Sequence, residues 1–282
     1  MSDDLRDPAV AERRFLDSLT DATGLDRGSL GPAGTTVVGR QDRADTGALA
    51  CYRAGGHLLV WGDPAVVDRV TDLGGPTTPS IDELTTRLDT AGFELFATVR
   101  NNLLAGPPTE PGDLAVLAPD LRQRWLRDDT PGVVDAVRAF TERCDPDEVE
   151  AAALDELDEF NEAAINVVVP ADDTDTDTGT DTDDADGTDG AGRPDIIAYA
   201  SASAFDFDPL IADIGVLVRG DHRRRGLATF VVASTTARLL DDGRVPLYRH
   251  TAANAGSAAT AAAVGFRPVA TLDYFVTRSD DG

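Results

Sequence analysis

The chain has 282 residues, with 51 Asp and Glu against 25 Lys and Arg, a formal net charge of −26, and it is 41% apolar and 27% charged. A sum this negative repels nucleic-acid phosphates and anionic lipid, so neither nucleic acid nor membrane is an expected partner. Lysine is absent and acid is spread along the whole length, which fits a halophilic protein in molar salt, where self-repulsion is screened, better than a functional acidic surface for a basic partner.

A chain of this length is one large domain or two small ones, with core enough to need no disulfide or metal. Cys51 and Cys144 stand far apart without metal-ligand spacing and read as small buried hydrophobes. The N-terminal stretch is acidic and then amphipathic, which does not fit a signal peptide, and no run approaches the ~18 apolar residues of a membrane span. The expected location is cytoplasmic.

Asp7-Pro8 opens a helix that Gly24 closes, with Pro just inside the start and Gly at the end. Thr35–Val38, Ala48–Arg53 and His57–Trp61 read as strands, the last after the turn Gly55-Gly56. Asp63-Pro64 caps a short helix through Val67 and Val70. Ser80-Ile81-Asp82-Glu83 has the capping-box pattern for a helix to about Ala91, and Phe93–Arg100 is extended. Residues 1–112 thus form a small α+β unit with no constellation that carries chemistry.

Pro107 to Gly112 is a boundary rich in breakers. The segment after it reads as helical: Thr130-Pro131 starts a helix through Val133, Val137 and Phe140, and Asp145-Pro146-Asp147-Glu148 starts another with a capping box. Asn166–Val169 is a short strand. Residues 171–190 hold nine aspartates and no aromatic residue, so a disordered loop is expected over 171–194. Asp173, Asp175 and Asp177 begin like a calcium loop, but Thr178 replaces the turn glycine and no closing Glu follows; no metal is expected.

Ile196–Ala202 and Asp213–Val218 read as strands. A helix runs from Gly226 to about Asp242, with Gly243 as terminator. Val245–His250 is a strand, Ser257–Val264 an alanine-rich helix ended by Gly265, and Phe266–Arg278 carries a final strand. This alternation implies a mixed sheet with helices packed on it.

One constellation stands out. The strand Asp213–Val218 runs through Arg219-Gly220-Asp221-His222 into Arg223-Arg224-Arg225-Gly226-Leu227-Ala228-Thr229, a helix start. Amides in the first turn of a helix lack intrahelical partners, and the dipole is positive there. Gly226 lets a ligand approach the backbone, and arginines add forked donors for phosphate. One helix and one strand later, Asn254-x-x-Ser257 opens a helix that Gly265-Phe266 ends.

Together these motifs resemble the GNAT acyltransferase superfamily. Arg223, Gly226 and Ala228 match its glycine motif, and the stretch from Asn254 through Ser257 to Gly265-Phe266 matches its last helix and turn. The resemblance covers residues 113–282 and implies an α+β fold with a mixed central sheet flanked by helices, preceded here by the N-terminal α+β unit. It implies acetyl-CoA, or another acyl-CoA, as co-substrate and a primary amine of a small molecule or protein as acceptor. In the family two parallel strands part and the coenzyme lies between them; here these would be Asp213–Val218 and Val245–His250. Backbone groups of Val216, Leu217 and Val218 would meet the pantetheine arm and acyl carbonyl, residues Arg223 to Thr229 the pyrophosphate, and Asn254 and Ser257 the pantetheine or the cap of the last helix. Asp213 is the candidate base, with His222 and His250 as weaker ones. Many members carry a Tyr in the last helix as general acid; Ala261 stands there, with Thr260 and Ser257 nearby. That departure supports a second reading, a non-catalytic acyl-CoA sensor or interaction module. The acceptor, the acyl chain preference and the oligomeric state have no readable signature.

Overall fold

The structure is a computed structural model that describes residues 5–26, 30, 33–44, 46–70, 79–127, 132–151, 164–171, 194–205 and 207–278. The expected disordered loop at 171–194 and its calcium-like aspartates lie almost wholly outside the described residues, as do Thr130 and Pro131. In chain order the elements are α1 (Pro8–Thr23), β1 (Ala33–Gly39), β2 (Ala48–Ala54), β3 (Gly56–Gly62), α2 (Pro64–Arg69), α3 (Ile81–Thr90), β4 (Phe93–Leu104), α4 (Leu114–Leu117), β5 (Leu121–Leu126), α5 (Val133–Thr141), α6 (Pro146–Ala151), β6 (Ala164–Pro170), β7 (Ala198–Phe205), β8 (Asp208–Val218), α7 (Leu227–Asp241), β9 (Val245–Thr251), α8 (Ala255–Val264) and β10 (Phe266–Thr277). No described helix is long and apolar enough to cross a membrane.

These elements form two compact units, one of Met1–Ala105 with Arg249–Ala258 and Arg267–Gly282, the other of Gly106–Tyr248 with Ala259–Phe266. The sequence reading places the division after residue 112 and gives everything beyond it to one domain. The contacts divide the chain differently, because β10 pairs antiparallel with β2 from Ala270↔Ala54 to Val276↔Ala48. The second unit thus lacks the last strand that the sequence assigned to it.

In the first unit the strand order is β1-β3-β2-β10-β4. β1 runs parallel to β3, and β2 antiparallel to it. Local signals placed the helices: the Asp7 side chain accepts from Ala9 N–H at 2.9 Å, and Gly24 ends α1 with a φ of 71°. The expected capping box on α3 is closed in both directions between Ser80 and Glu83. Leu84 and Leu88 of α3 and Val66 and Val67 of α2 pack with Leu49, Cys51, Leu58, Val60 and Phe275 in one core.

The second unit has the order β9-β8-β7-β6-β5, antiparallel except for the parallel pair β8–β9. Strand alternation sorts its side chains onto two faces. Val168, Ala198, Ala200 and Val218 meet Leu227, Phe230 and Val231 of α7. Val167, Val169, Tyr199 and Leu217 meet Val133, Val137 and Phe140 of α5. This is a mixed sheet with helices on both sides, in an α+β fold. Asn166, fully buried on the α7 face, donates to the Val231 carbonyl at 3.1 Å and accepts from Gln123 at 2.9 Å, tying β6 to α7 and β5.

One expectation here is corrected. The segment after residue 112 is not all helical: Leu121–Leu126 is strand β5, paired to β6 from Leu121↔Pro170 to Leu126↔Ile165. As the terminal strand of the order it carries Arg122, Arg124 and a 40%-exposed Trp125. Its polar residues therefore hide the apolar alternation that marks a strand.

Candidate functional site

The site begins where β8 and β9 part. Their parallel ladder comprises Ile211↔Val245, Ala212↔Pro246 and Asp213↔Leu247, after which β8 continues to Val218 paired, among the described residues, with β7 alone. Arg219 N–H donates to the Ile197 carbonyl of the segment leading into β7 at 3.0 Å. Backbone groups in a strand alternate sides with a period of two. Leu217, Gly215 and Asp213 therefore turn theirs toward β7, and Val218, Val216 and Ile214 turn theirs to the opened side. The Val218 carbonyl, on that side, accepts from Arg223 Nε at 3.1 Å. Val216 and Val218 are thus brought to the fork. Leu217 is not: its backbone faces β7 and its side chain is buried in the α5 core.

Beyond β8 the chain makes a tight turn at Gly220–His222 and then enters a nest. Arg223 is extended, Arg224 is left-handed with a φ of 61°, and Gly226 is left-handed with a φ of 80° as N-cap of α7. Arg224 is the one non-glycine residue at positive φ among the described residues, a conformation that costs an L-residue energy and needs its surroundings to hold it. Gly226 offers no capping side chain, and among the described residues the amides of Leu227, Ala228 and Thr229 find no acceptor. Leu227 anchors the turn in the core while Ala228 and Thr229 remain partly exposed. Successive amides around left-handed residues at a helix start are a concave anion site. The residues present therefore fit a phosphate-bearing ligand.

The arginines divide differently from the sequence expectation. Arg223 makes a forked pair with Glu148 of α6, one arm at 2.8 Å. Arg225 reaches Asp120 at 2.6 Å and His222 Nδ1 at 3.0 Å. Arg219 binds Asp221 at 2.7 Å and Asp195 at 3.4 Å. Arg219 holds the Asp221 carboxyl down at about 2, and Arg225 likewise lowers Asp120. Only Arg224, exposed, has no carboxylate partner among the described residues.

Asp213, the candidate base, sits at the fork as the last β8 residue paired with β9, and opposite Ser203 of β7. Asn254 belongs to the first unit; its Oδ1 accepts from Ser257 N–H at 2.9 Å and its carbonyl from Ala258 N–H at 3.0 Å, so Asn254 caps α8. His222 contributes to the turn through Arg225, and His250 Nδ1 lies 2.9 Å from the Thr251 carbonyl. Ala261 is 3% exposed and has no hydroxyl to offer. Among the described residues no group of His, Cys, Asp or Glu could hold a metal ion.

Three residues around the nest carried no sequence signal for that place. Glu148 reads as a capping-box partner in sequence, but both its oxygens go to Arg223 and the box is not closed. Asp120 lies in an unremarked turn. Leu117 of α4, 42% exposed, stands so that a Cβ added to Gly226 would meet its Cδ2 at 3.7 Å. Each depends on contacts distant in sequence.

No protein-family model matches the chain, and no curated protein matches it. Solved structures do. A tandem GNAT protein from the clavulanic acid biosynthesis pathway aligns over 98% of both chains at 14% identity, TM-score 0.46. A GCN5-related N-acetyltransferase from Kribbella flavida aligns at 15% identity over 72% of this chain and 65% of its own length, just under two thirds, TM-score 0.45. A GNAT-family acetyltransferase from Colwellia psychrerythraea aligns at 14% identity over 79% of this chain and 78% of its own, TM-score 0.44.

Proposed function

We propose that the second unit is an N-acetyltransferase that moves an acetyl group from acetyl-CoA to a primary amine. One observation carries the reading: a parallel ladder that ends at Asp213↔Leu247 while β8 runs on into the nest at Arg224 and Gly226. A fork of strands offers unpaired backbone donors for an extended amide-bearing arm, and the nest offers amides for the pyrophosphate at its far end.

The chemistry assigned to these residues is direct transfer. Asp213 takes a proton from the attacking ammonium, directly or through water. The free amine adds to the thioester carbonyl, and the fork-facing amides of Val216 and Val218 stabilise the oxyanion. Collapse breaks the carbon–sulfur bond and expels the CoA thiolate. With Ala261 where the family often has a phenol, the second proton lost from the amine nitrogen as the amide forms reaches the thiolate through water.

The test is a thermal melt with and without acetyl-CoA in about 3 M KCl, where the Debye length falls below ~3 Å and nonspecific charge effects are screened. A ligand that binds only the native state raises the melting temperature. The expected shift occurs in the wild type and vanishes in Gly226→Glu, and thiol release follows with an amine panel. No shift in either protein sinks the reading. Buried Ala261 favours one alternative, a non-catalytic acyl-CoA sensor, whose outcome would be binding without turnover on any amine.

A further inference from the structure

The turn between β8 and α7 is held from outside by two ion pairs on either side of Arg224. On one side Arg223 spends both arms on Glu148 of α6 and its Nε on the Val218 carbonyl. On the other, Arg225 spends one arm on Asp120, ahead of β5, and the other on His222. An arginine beside a phosphate site is ordinarily counted as a phosphate ligand. Arg223 has its fork filled by a carboxylate, and Arg225 has its fork filled by a carboxylate and an imidazole. The residue between them is exposed, lacks such a partner among the described residues and is left-handed.

We propose that Glu148 and Asp120 are positioning residues of the anion cradle: their pairs with Arg223 and Arg225 brace the turn on both sides, hold Arg224 left-handed, and leave the backbone amides and the Arg224 guanidinium to meet the phosphates. The proposal rests on the acyl-CoA reading for its ligand, and on the geometry of the turn for its mechanism. A left-handed arginine is not a conformation that the segment would keep by itself. Fixing the residues on both sides supplies the restraint. Charge balance points the same way. Each brace is neutral as a pair, so the turn keeps one uncompensated positive charge in a chain of net charge −26.

The idea predicts a sign opposite to simple electrostatics. Removing a carboxylate beside an anion site should, by Coulomb attraction alone, tighten anion binding. Removing a brace loosens the nest and weakens it. The experiment compares wild type, Glu148→Gln, Asp120→Asn, the double variant and Arg224→Gln at constant ionic strength. Calorimetry reads the Kd of acetyl-CoA and of inorganic pyrophosphate; hydrogen exchange reads the amides of residues 224–230; steady-state rates separate KM from kcat. The double variant should bind both probes about tenfold more weakly, a difference of ~1.4 kcal/mol. Its KM for acetyl-CoA should rise by more than kcat falls, and its turn amides should exchange faster at an unchanged melting temperature. Tighter or unchanged binding together with unchanged exchange overturns the proposal. If the wild type binds neither probe, the acyl-CoA reading fails; the exchange comparison then decides the braces, which stand if exchange in the turn accelerates and fall if it does not.

Discussion

Asp213 and Leu247 form the last residue pair between β8 and β9, and the carboxylate proposed as base therefore sits at the point where the two strands part.

Asp213→Asn keeps the size of the side chain and its place opposite Ser203 but cannot accept a proton at neutral pH. General-base residues typically contribute about 10²- to 10⁴-fold, so kcat/KM should fall by roughly 100-fold or more, with binding of acetyl-CoA little changed. The check is a pH–rate profile of wild type and variant. A variant that retains full activity with an unaltered acid limb removes Asp213 from the mechanism.

Gly226→Ala tests the nest without adding bulk. At a φ of 80° an L-residue is strained, while the new methyl would stand in ordinary contact with Leu117 at 3.7 Å. The expected cost is ~1–2 kcal/mol of stability, together with weaker binding of acetyl-CoA. Urea unfolding and calorimetry on the same sample measure both.

Asp273 is fully buried in the first unit, where Arg53 Nη2 reaches it at 2.8 Å and Thr98 donates to it at 2.7 Å. Arg53 keeps a quarter of its side-chain surface exposed. Removing Arg53 strands a carboxylate away from water, whereas removing Asp273 leaves a cation that can still hydrate. Arg53→Met should therefore destabilise by about 3 kcal/mol or more, and Asp273→Asn by less. Equal losses in urea unfolding would contradict that asymmetry.

The thiols should be sluggish. Burial pushes the Cys51 thiol far up, and it pushes half-buried Cys144 up to about 11. Since the thiolate is the nucleophile, both should react slowly with a disulfide reagent at pH 8 and quickly once unfolded. Timed labelling decides it, and a fast native reaction of Cys144 would be the contrary result.

Acid should spare the turn for longer than an ordinary surface. The Asp221 carboxyl is lowered from 3.8 to about 2 by Arg219, so the pair contributes fully above the ordinary value and is lost as pH falls through the folded one. Carboxyl chemical shifts followed from pH 6 downward should show Asp221 titrating last among the exposed acids of the turn.

Much of this architecture was legible because its signals are local. Asp7-Pro8, Ser80 to Glu83, and the Gly226 and Gly243 boundaries of α7 each act within a few residues, and the structure keeps each element they announced. The glycine turn was legible for the same reason, since a left-handed N-cap demands a residue without Cβ. What escaped depends on distant partners. β5 is a strand because β6 lies beside it, not because Leu-Arg-Gln-Arg-Trp-Leu alternates. Arg223 and Arg225 look like phosphate ligands until Glu148, Asp120 and His222 are seen to fill their forks.

The pairing of β10 with β2 also sets an order of events during synthesis. Domains usually fold in turn as the chain leaves the ribosome. Here β2, complete by Ala54, pairs with a strand made more than two hundred residues later. The first unit cannot close its sheet until the second has been translated. In the interval an unpaired strand edge is open to other chains, so the hazard lies at β2, and synthesis of β10 is what removes it.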